Sequence, residues 1–292
     1  MKEICFIVNP ISGGKDKSGI VASVRKHLDA SLYRPAFHFT EKAGEAESFA
    51  HTCKADVVVA VGGDGTVSEV ARGLVGTDKT LGIIPCGSGD GLALHLGISR
   101  NPRKALATLQ DGVCQTMDCG EVDGRPFFCT TGVGLDAQVA WEFATAGKRG
   151  LWTYISLAWK IWQHFKPETY TLEIDGQTYR FPAVFVTVGN ANQWGNQARI
   201  TSLASVQDGL LEVTVVLPFH TWEIPVLATK LMDGRAHTSR RTRMFRGRQV
   251  VIRREKEGPA HYDGDPCRKG TEIHVNIVPS ALHVMVPENR KI

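Results

Sequence analysis

The chain has 292 residues, of which 42% are hydrophobic and 22% charged, with a formal net charge of +4. This length and apolar content predict two domains with real hydrophobic cores, and the weak positive charge argues against a nucleic-acid partner. Seven cysteines without a C-x-x-C pair, in a chain that opens without an apolar leader, favour reduced thiols in a cytoplasmic protein and argue against a zinc site.

Three short apolar runs near the start of the chain each lead into a glycine-rich turn and then into a helical pattern. The β-branched run 56–60 predicts a buried strand, and Val67, Val70 and Leu74 recur at helical spacing after the turn that follows it. Parallel strands gather such turns at their carboxyl ends, where an open α/β sheet binds ligands. The three groups of strand, turn and helix are 4–8, 9–15 and 19–28; 56–60, 61–66 and 67–75; and 81–85, 86–91 and 92–96.

The middle turn, Gly62-Gly63-Asp64-Gly65-Thr66, predicts nucleotide binding. Glycines let the backbone approach a phosphate closely, and the N-terminus of the following helix supplies unpaired N–H groups and partial positive charge. A carboxylate among these glycines repels phosphate unless Mg²⁺ stands between them. We therefore interpret the turn as a site for a nucleotide and a metal, with Asp64 as the acidic partner of the reactive centre. Neither the Walker pattern nor the dinucleotide G-x-G-x-x-G pattern fits, which argues against a P-loop NTPase and a Rossmann dehydrogenase.

The chain changes character near residue 118, where alternating strands and helices give way to a series of strand-like runs. Asp-Gly pairs beginning at Asp123, Asp175 and Asp208 separate several of these runs and are typical of tight turns. We predict an antiparallel sandwich or barrel that carries one inserted helix, 151–165, which is shorter than a membrane span. The predicted strands are 125–130, 170–174, 183–188, 210–217 and 249–253.

Two surface patterns in this second half each allow two interpretations. Trp152, Ile155, Trp159 and Trp162 recur at spacings of three and four and predict one aromatic stripe. This stripe either packs the inserted helix onto the protein's core or forms the wall of an acyl-chain cleft or a membrane-facing surface. A later run of arginines is either a solvated face or a patch that attracts an anionic membrane. The run consists of Arg240, Arg241, Arg243, Arg246, Arg248 and Arg253.

At these and later motifs the chain resembles the diacylglycerol kinase catalytic-domain family of lipid kinases, which includes bacterial diacylglycerol kinases and sphingosine kinases. The resemblance implies an N-terminal α/β nucleotide-binding domain and a C-terminal antiparallel β-sandwich or barrel domain, with the active site in the cleft between them. It also implies that a last strand, near 282–286, returns to the first domain. We accordingly place the nucleotide-binding domain at 1–117 with 283–292, and the β-rich lipid-binding domain at 118–282. The matching motifs are Asn9-Pro10 with Ser12-Gly13-Gly14, Gly62-Gly63-Asp64-Gly65-Thr66 with Glu69-Val70, Pro85 with Gly87-Ser88-Gly89-Asp90, 132–137, 207–213 and 263–266.

The resemblance assigns a set of residues to the nucleotide. Thr40, which ends a strand-like run, belongs to this set, although the sequence alone equally allows it to be the N-cap of a helix containing residues 46–50. The implied nucleotide-binding residues are Asn9, Pro10, Ser12, Gly13, Gly14, Lys15, Thr40, Gly62, Gly63, Asp64, Gly65, Thr66, Glu69, Gly87 and Ser88.

The resemblance also places the catalytic base in the loop Asp263-Gly264-Asp265. A hydroxyl that attacks a γ-phosphate needs a carboxylate within hydrogen-bond reach to accept its proton. We favour Asp263 for that role and expect the loop to project both side chains outward; Asp265 stands where most family members carry glutamate. The simpler interpretation of the same residues is an Asp-Gly hairpin turn. The implied catalytic set is Asp263, Asp265 and Asp64.

Three further carboxylates receive roles from the resemblance. Asp208 is implied to bind Mg²⁺ together with the backbone carbonyls of Ser205 and Leu210, or else it marks a plain hairpin turn. Asp136 is either a partner of the substrate hydroxyl or, as we favour, a cap for the helix that follows. Asp90 is assigned to the substrate as well, and it departs from the family pattern because many members carry asparagine at or beside this position.

Together these patterns predict an Mg²⁺-dependent lipid kinase that transfers the γ-phosphate of ATP to a lipid hydroxyl. The alternatives are an NAD kinase-like phosphotransferase, which shares the Gly62–Thr66 pattern, and a non-catalytic regulator that binds nucleotide or lipid. The expected partners are the nucleotide and a lipid substrate that a cytoplasmic protein meets peripherally at the inner face of a membrane. The identity of the lipid alcohol and a homodimeric state are left open.

Overall fold

The structure is a computed structural model that describes residues 1–14, 17–146, 151–290 and 292. It divides into two compact units: Met1–Asp118 with Pro279–Ile292, and Cys119–Val278. The strands β5 (Val113–Val122) and β16 (Glu272–Val286) contribute residues to both units.

The first unit is an α/β domain built on neighbouring parallel strands. Their order is β2-β1-β3-β4, and the end of β16 runs parallel to β4, with His283 opposite Thr80. Every residue of β3 is buried, as its β-branched sequence predicts for a strand inside a parallel sheet. The other elements are β1 (Lys2–Val8), α1 (Ser18–His27), β2 (Tyr33–Phe39), α2 (Glu45–Thr52), β3 (Val57–Gly62), α3 (Asp64–Leu74), β4 (Thr80–Pro85), α4 (Gly91–His95) and α5 (Pro102–Asp111).

The second unit is an antiparallel β-sandwich. One sheet has the order β12-β11-β10-β7-β14-β15, and its partner contains β13, β8, β9 and the beginning of β16. Val186, Val213 and Ala260 of the first sheet share one buried cluster with Leu172 and Val250 of the second. The elements are β6 (Arg125–Phe127), β7 (Thr130–Gly134), α6 (Leu135–Thr145), α7 (Leu151–Trp162), β8 (Glu168–Ile174), β9 (Gln177–Ala183), β10 (Phe185–Gly189), β11 (Leu211–Val216), α8 (Ile224–Met232), β12 (Thr242–Gly247), β13 (Gln249–Arg253), β14 (Gly258–Tyr262) and β15 (Asp265–Lys269). The predicted fold class, an α/β domain followed by an antiparallel β-sandwich, is confirmed.

Two predicted elements end earlier in the structure than the sequence suggested. The run 125–130 divides into β6 and β7, because the backbone N–H groups of Phe128 and Cys129 leave the strand ladder and donate to the Asp263 carboxylate. Helix α7 ends at Trp162 instead of residue 165, where His164 and Phe165 donate to carbonyls three residues back and tighten the chain. Among the described residues, every helix falls short of the length and apolar content that crossing a bilayer requires.

Asp-Gly turns connect three pairs of strands in this unit. Asp123-Gly124, Asp175-Gly176 and Asp263-Gly264 all have positive φ at both residues, the conformation of a type I′ hairpin turn. In two of them the aspartate also fastens the turn to a neighbouring strand: Asp175 accepts from the N–H of Gln249 at 2.9 Å, and Asp123 accepts from that of His274 at 3.1 Å. The predicted turns at Asp123 and Asp175 are confirmed, and their carboxylates have a structural use.

Candidate functional site

The first glycine-rich loop is tied to the second by side chains. The amide nitrogen of Asn9 donates to the Thr66 hydroxyl at 3.0 Å, while its oxygen accepts from the N–H of Ile11. Ser12 Oγ accepts from the N–H of Gly63 at 2.7 Å. The two loops are therefore held together by three residues that the sequence assigned to the nucleotide: Asn9, Ser12 and Thr66.

Asp64 joins the second loop to the third. Its Oδ1 accepts from the N–H of Gly91 at 2.6 Å, and its Oδ2 accepts from the N–H of Asp90 at 2.9 Å. The carboxylate thus hydrogen-bonds the N-terminus of α3 to the loop after β4. We call this pair of hydrogen bonds the Asp64 clasp. The sequence assigned Asp64 to a metal and the reactive centre, and that role stays a prediction. The structure adds a structural role, because charge-assisted hydrogen bonds to backbone amides are among the stronger ones in proteins.

Close packing explains why the three loops are rich in glycine. Gly13 has φ of 63°, and a Cβ built there would lie 2.0 Å from the carbonyl oxygen of Cys86. A Cβ on Gly87 would approach the Cα of Gly63 at 2.8 Å, and one on Gly89 would meet Asp64 Oδ2 at 2.5 Å. The loops at the ends of β1, β3 and β4 therefore converge only because these positions lack side chains.

Gly13→Ala is expected to destabilise the protein by about 2–4 kcal/mol, since the substitution combines a positive φ with a backbone clash. Urea unfolding measures the change. Gly19→Ala is the matched control, because a Cβ at Gly19 in α1 meets nothing within 4 Å; it should be neutral or slightly stabilising. Equal stabilities of the two variants would contradict the packing described here.

The N-terminus of α3 lies at this convergence and is the candidate anion-binding feature. Its N-cap is Gly63, which has no side chain of its own with which to cap the helix. The first N–H groups of a helix have no partner within the helix, and they carry partial positive charge. The arrangement can therefore hold a phosphate group against backbone amides, which is the fit that a nucleotide requires.

Asp90 lies inside the third loop. It adopts a left-handed conformation with φ of 48°, its side chain is 2% exposed, and it accepts from the N–H of Gly87 at 2.8 Å. Burial, followed by the charge of Asp64, raises the pKa of the Asp90 carboxyl above its usual value, and Arg100 opposes that shift. The Asp90 side chain therefore contacts its own loop. Its role at the substrate stays a prediction.

Arg100 is a residue that sequence reasoning missed. Its guanidinium lies 3.2 Å from Asp90 Oδ2 and donates to the carbonyl oxygens of Ser88 and Gly89. It fixes the loop that contains the predicted nucleotide residues Gly87 and Ser88. Arg100 lies in a short polar stretch without a motif, so only the folded loop reveals its role.

The remaining nucleotide predictions lie near the same loops or outside the described residues. Thr40 follows β2 and donates its N–H to Val8 O; the alternative that it caps α2 is wrong, because the N-cap is Gly44. Lys15 lies outside the described residues. Lys17, which sequence reasoning passed over, is buried and donates Nζ to Ser12 O. The other predicted residues in these elements are Pro10, Gly14 and Gly62 at the loops, Gly65 in the first turn of α3, and Glu69 further along it.

In the second unit, the predicted base Asp263 forms a turn. Asp263 has φ of 51° and Gly264 of 83°, so the hairpin interpretation is confirmed. The Asp263 carboxylate accepts from the N–H of Cys129 at 2.6 Å and from that of Phe128 at 3.0 Å. The expectation that this side chain projects outward is wrong, since it folds back onto the β6–β7 connection. Asp265, the first residue of β15, is half-buried.

Arg254 holds the other end of the same hairpin. Its buried guanidinium donates to the carbonyl oxygens of Gly258 at 2.8 Å, Pro259 at 2.9 Å, Lys269 at 2.7 Å and Gly270 at 3.1 Å. Burial lowers the pKa of this group from its ordinary value. The hairpin that carries Asp263 and Asp265 is therefore fixed at both ends, by a carboxylate and by a guanidinium.

Asp136 belongs to a buried polar cluster. Its Oδ2 accepts from the Thr187 hydroxyl at 3.0 Å and lies 3.2 Å from His261 Nε2. The N-cap residue of α6 is Gly134, and Asp136 lies in the first turn of that helix. Its Oδ1 accepts from the N–H of Ala137 at 2.7 Å, so one carboxylate oxygen does take up a backbone N–H at the start of α6. The cluster connects α6 to β10 and β14, and the substrate role stays a prediction. His261 was missed because a single histidine in a strand gives no sequence signal.

In the Asp208 loop an arginine occupies one oxygen of the predicted magnesium ligand. Asp208 Oδ1 accepts from the N–H of Leu210 at 3.1 Å, and Oδ2 contacts the guanidinium of Arg246. Ser205 uses its hydroxyl as acceptor for the N–H of Gln207. Across the described ranges, no group of three or more His, Cys, Asp or Glu side chains is placed to hold a metal ion. Arg246 would have to leave before a cation could take that oxygen, so Mg²⁺ at Asp208, Ser205 and Leu210 stays a prediction.

The arginine run divides into structural and surface residues. Arg241 donates to both carboxylate oxygens of Glu223 at 2.8 Å, and Arg253 bridges Glu173 and Glu272. Arg240 and Arg243 are exposed, and Arg243 donates to backbone carbonyls of Arg240 and Thr242. The run is therefore not one uniform basic face.

The chain matches two sequence models of protein families. The Diacylglycerol kinase catalytic domain matches residues 3–122, and the YegS C-terminal NAD kinase beta sandwich-like domain matches residues 129–286. The chain is also similar to the diacylglycerol kinase of Bacillus subtilis strain 168, with 26% identity that covers 99% of this chain and 98% of that protein.

Solved structures show the same fold. A diacylglycerol kinase from Bacillus anthracis str. Sterne aligns with a TM-score of 0.74 at 20% identity, covering 98% of this chain and 97% of that one. An NAD kinase from Archaeoglobus fulgidus in complex with ATP aligns with a TM-score of 0.57 at 14% identity, covering 98% of this chain and 94% of that one.

Proposed function

This chain belongs to the diacylglycerol kinase catalytic-domain family of lipid kinases, and on that premise we propose that it transfers the γ-phosphate of ATP to the hydroxyl of a lipid. The observation that carries the proposal is the convergence of three glycine-rich loops around the N-terminus of α3, held by the Asp64 clasp. Phosphoryl transfer depends mainly on positioning and charge stabilisation, which such a rigid set of backbone donors supplies.

We assign the nucleotide phosphates to the amides at the start of α3 and to the loops that Ser12 and Asp64 fasten to it. Mg²⁺ enters as part of the nucleotide substrate, and the chemistry that it supplies is neutralisation of phosphate charge. Asp64 acts here by fixing the loops, so that the backbone donors keep one geometry as charge develops on the phosphoryl group.

We assign the proton acceptor to Asp265 and a positioning role to Asp263. Asp263 accepts from two backbone amides, and Asp175 uses the same carboxylate-to-amide bonds in a hairpin of the same conformation. This parallel supports a structural function for Asp263. Asp265 lies two residues further on, at the position where the resemblance places the family's glutamate, and a carboxylate within reach of the lipid hydroxyl can accept its proton.

A transfer assay tests the proposal. The purified protein is incubated with Mg²⁺ and γ-labelled ATP against diacylglycerol, a sphingoid base and ceramide in mixed micelles, with NAD as the non-lipid acceptor. We expect label in one of the lipids. The fold is shared with an NAD kinase, so label in NAD and not in the lipids would overturn the proposal in favour of that activity. Nucleotide binding without transfer to any acceptor would favour a regulator.

A further inference from the structure

Helix α8 is unusual because it is apolar on the side that faces solvent. Its sequence is IPVLATKLM, and none of its residues is buried, all of them lying in the described part of the chain. A surface helix normally turns charged residues outward and an apolar stripe inward. Here the outward positions include Val226, 58% exposed, and Met232, 47% exposed, and Trp222 in the preceding turn is 74% exposed. The arrangement leaves a large apolar face in water.

The inner side of α8 already has its partner. Leu231 packs against the buried cluster of Val184, Ile200 and Val216, and its carbonyl oxygen accepts from the N–H of Arg199 at 3.0 Å. These contacts fix the orientation of the helix. Its exposed face therefore belongs to the folded unit and not to a loosely attached segment.

Helix α7 extends the exposed apolar surface. Trp162 stacks on Phe219 with ring centroids 4.6 Å apart, and its Nε1 donates to the hydroxyl of Thr221, the residue before Trp222. Ile155 and Trp159 recur on the same side of α7 as Trp162, at 46% and 49% exposure. We call Ile155, Trp159, Trp222, Val226 and Met232 the docking surface. The predicted stripe thus splits: Trp162 packs on the core, Ile155 and Trp159 do not, and the side chain of Trp152 lies outside the description.

The charges beside the docking surface are mainly positive. Residues 220–243 contain five Lys or Arg and two Asp or Glu, a net charge of +3, whereas the entire chain has a net charge of +4. Glu223, one of the two acids, is occupied by Arg241, and Arg240 and Arg243 are exposed. Tryptophan with neighbouring basic residues is the combination that binds the interface of an anionic bilayer.

We propose that the docking surface binds the protein to an anionic lipid bilayer, with Arg240 and Arg243 against the head groups. The proposal rests on the proposed function in one respect, since a lipid kinase must meet its substrate in a membrane, and it names the surface that does so. A second copy of the chain is a poorer occupant. A two-fold interface would bring the same patch, and hence the same arginines, against itself, and like charges in an interface oppose association.

Vesicle sedimentation of the full-length protein, without nucleotide, tests the proposal. Vesicles of phosphatidylcholine that contain about one-third phosphatidylglycerol, which gives them a negative surface potential, are compared with phosphatidylcholine alone. We expect binding to the anionic vesicles that weakens with added salt. Arg240→Glu with Arg243→Glu should reduce the partition coefficient by about 30-fold or more, since two attractive charges are lost and two repulsive ones are added. Trp222→Ser with Val226→Ser should reduce it by about tenfold or more.

Two controls separate docking from general effects. Arg103→Glu with Lys104→Glu makes the same change in net charge at exposed positions of the first unit, and Leu32→Ser removes an exposed leucine there. Both should bind vesicles like the wild type. Equal losses in the controls, or unchanged binding in both docking variants, would overturn the proposal. Light scattering gives a further test. If Trp222→Ser with Val226→Ser changes the protein from a dimer to a monomer while vesicle binding stays constant, the surface joins two copies and the proposal is overturned.

The vesicle readout is independent of turnover. A protein that binds vesicles through this surface but phosphorylates none of the lipids would refute the proposed function and leave the docking surface standing. Conversely, the protein could phosphorylate a short-chain soluble lipid while the docking-surface variants bind vesicles as well as the wild type. That result would refute the docking surface and leave the proposed function standing.

Discussion

Asp64→Asn is expected to abolish phosphoryl transfer and to lower the free energy of unfolding by about 1–3 kcal/mol. The carboxylate accepts from the N–H groups of Asp90 and Gly91, one on each oxygen. In asparagine one of these oxygens becomes an NH₂ group, which would face an N–H donor. The third loop should therefore move from the N-terminus of α3, and the phosphate donors would lose their common geometry.

Lipid phosphorylation and urea unfolding of the same preparation measure the two effects of this substitution. Asp78→Asn, an exposed aspartate in the same unit, is the matched control and should leave both values unchanged. A twofold or smaller loss of turnover in Asp64→Asn would contradict the role of the clasp. A complete loss of turnover with wild-type stability would instead favour the sequence-based interpretation of Asp64 as the acidic partner of the metal at the reactive centre.

The second large effect is expected at Asp265. If this residue accepts the proton of the lipid hydroxyl, Asp265→Asn should lower kcat by about 10²- to 10⁴-fold with little change in stability or in nucleotide affinity. Asp265→Glu, which restores the residue that the resemblance expects at this position, should retain most of the activity. Single-turnover transfer at saturating ATP, with stability followed by urea unfolding, distinguishes these outcomes.

Asp263→Asn should behave differently from Asp265→Asn. Asparagine tolerates the positive φ of the turn, but it replaces a carboxylate oxygen that accepts from Phe128 and Cys129, so we expect a loss of about 1–3 kcal/mol in stability. Asp175→Asn is the matched control, because it removes the same kind of carboxylate from a hairpin of the same conformation. Asp175→Asn should cost similar stability and no activity. Full kcat in Asp265→Asn with a 10²-fold loss in Asp263→Asn, beyond its stability cost, would return the base to Asp263.

Local sequence determined those features that local chemistry controls. A β-branched run followed by glycines and a 3.6-residue apolar repeat can form little else than β3, its turn and α3, and the Asp-Gly pairs at Asp123 and Asp175 encode their own turns. The motif order likewise identified the family. The strand, helix and turns depend on contacts within about ten residues, so they could be read directly from the chain.

The tertiary structure decided which partner each polar side chain has. Asp64 and Asp263 are both aspartates beside glycine, yet their carboxylates accept from backbone amides 26 and 135 positions distant in sequence. Arg241 and Arg253 looked like members of one basic run, but Arg241 bonds Glu223 and Arg253 bonds Glu173 and Glu272, while Arg240 and Arg243 stay exposed. The apolar residues of α8, which a surface helix normally turns toward the core, are not buried in the folded unit. The sequence determines the chemistry of each side chain; which group that chemistry meets depends on contacts between distant segments, and only the folded chain brings those segments together.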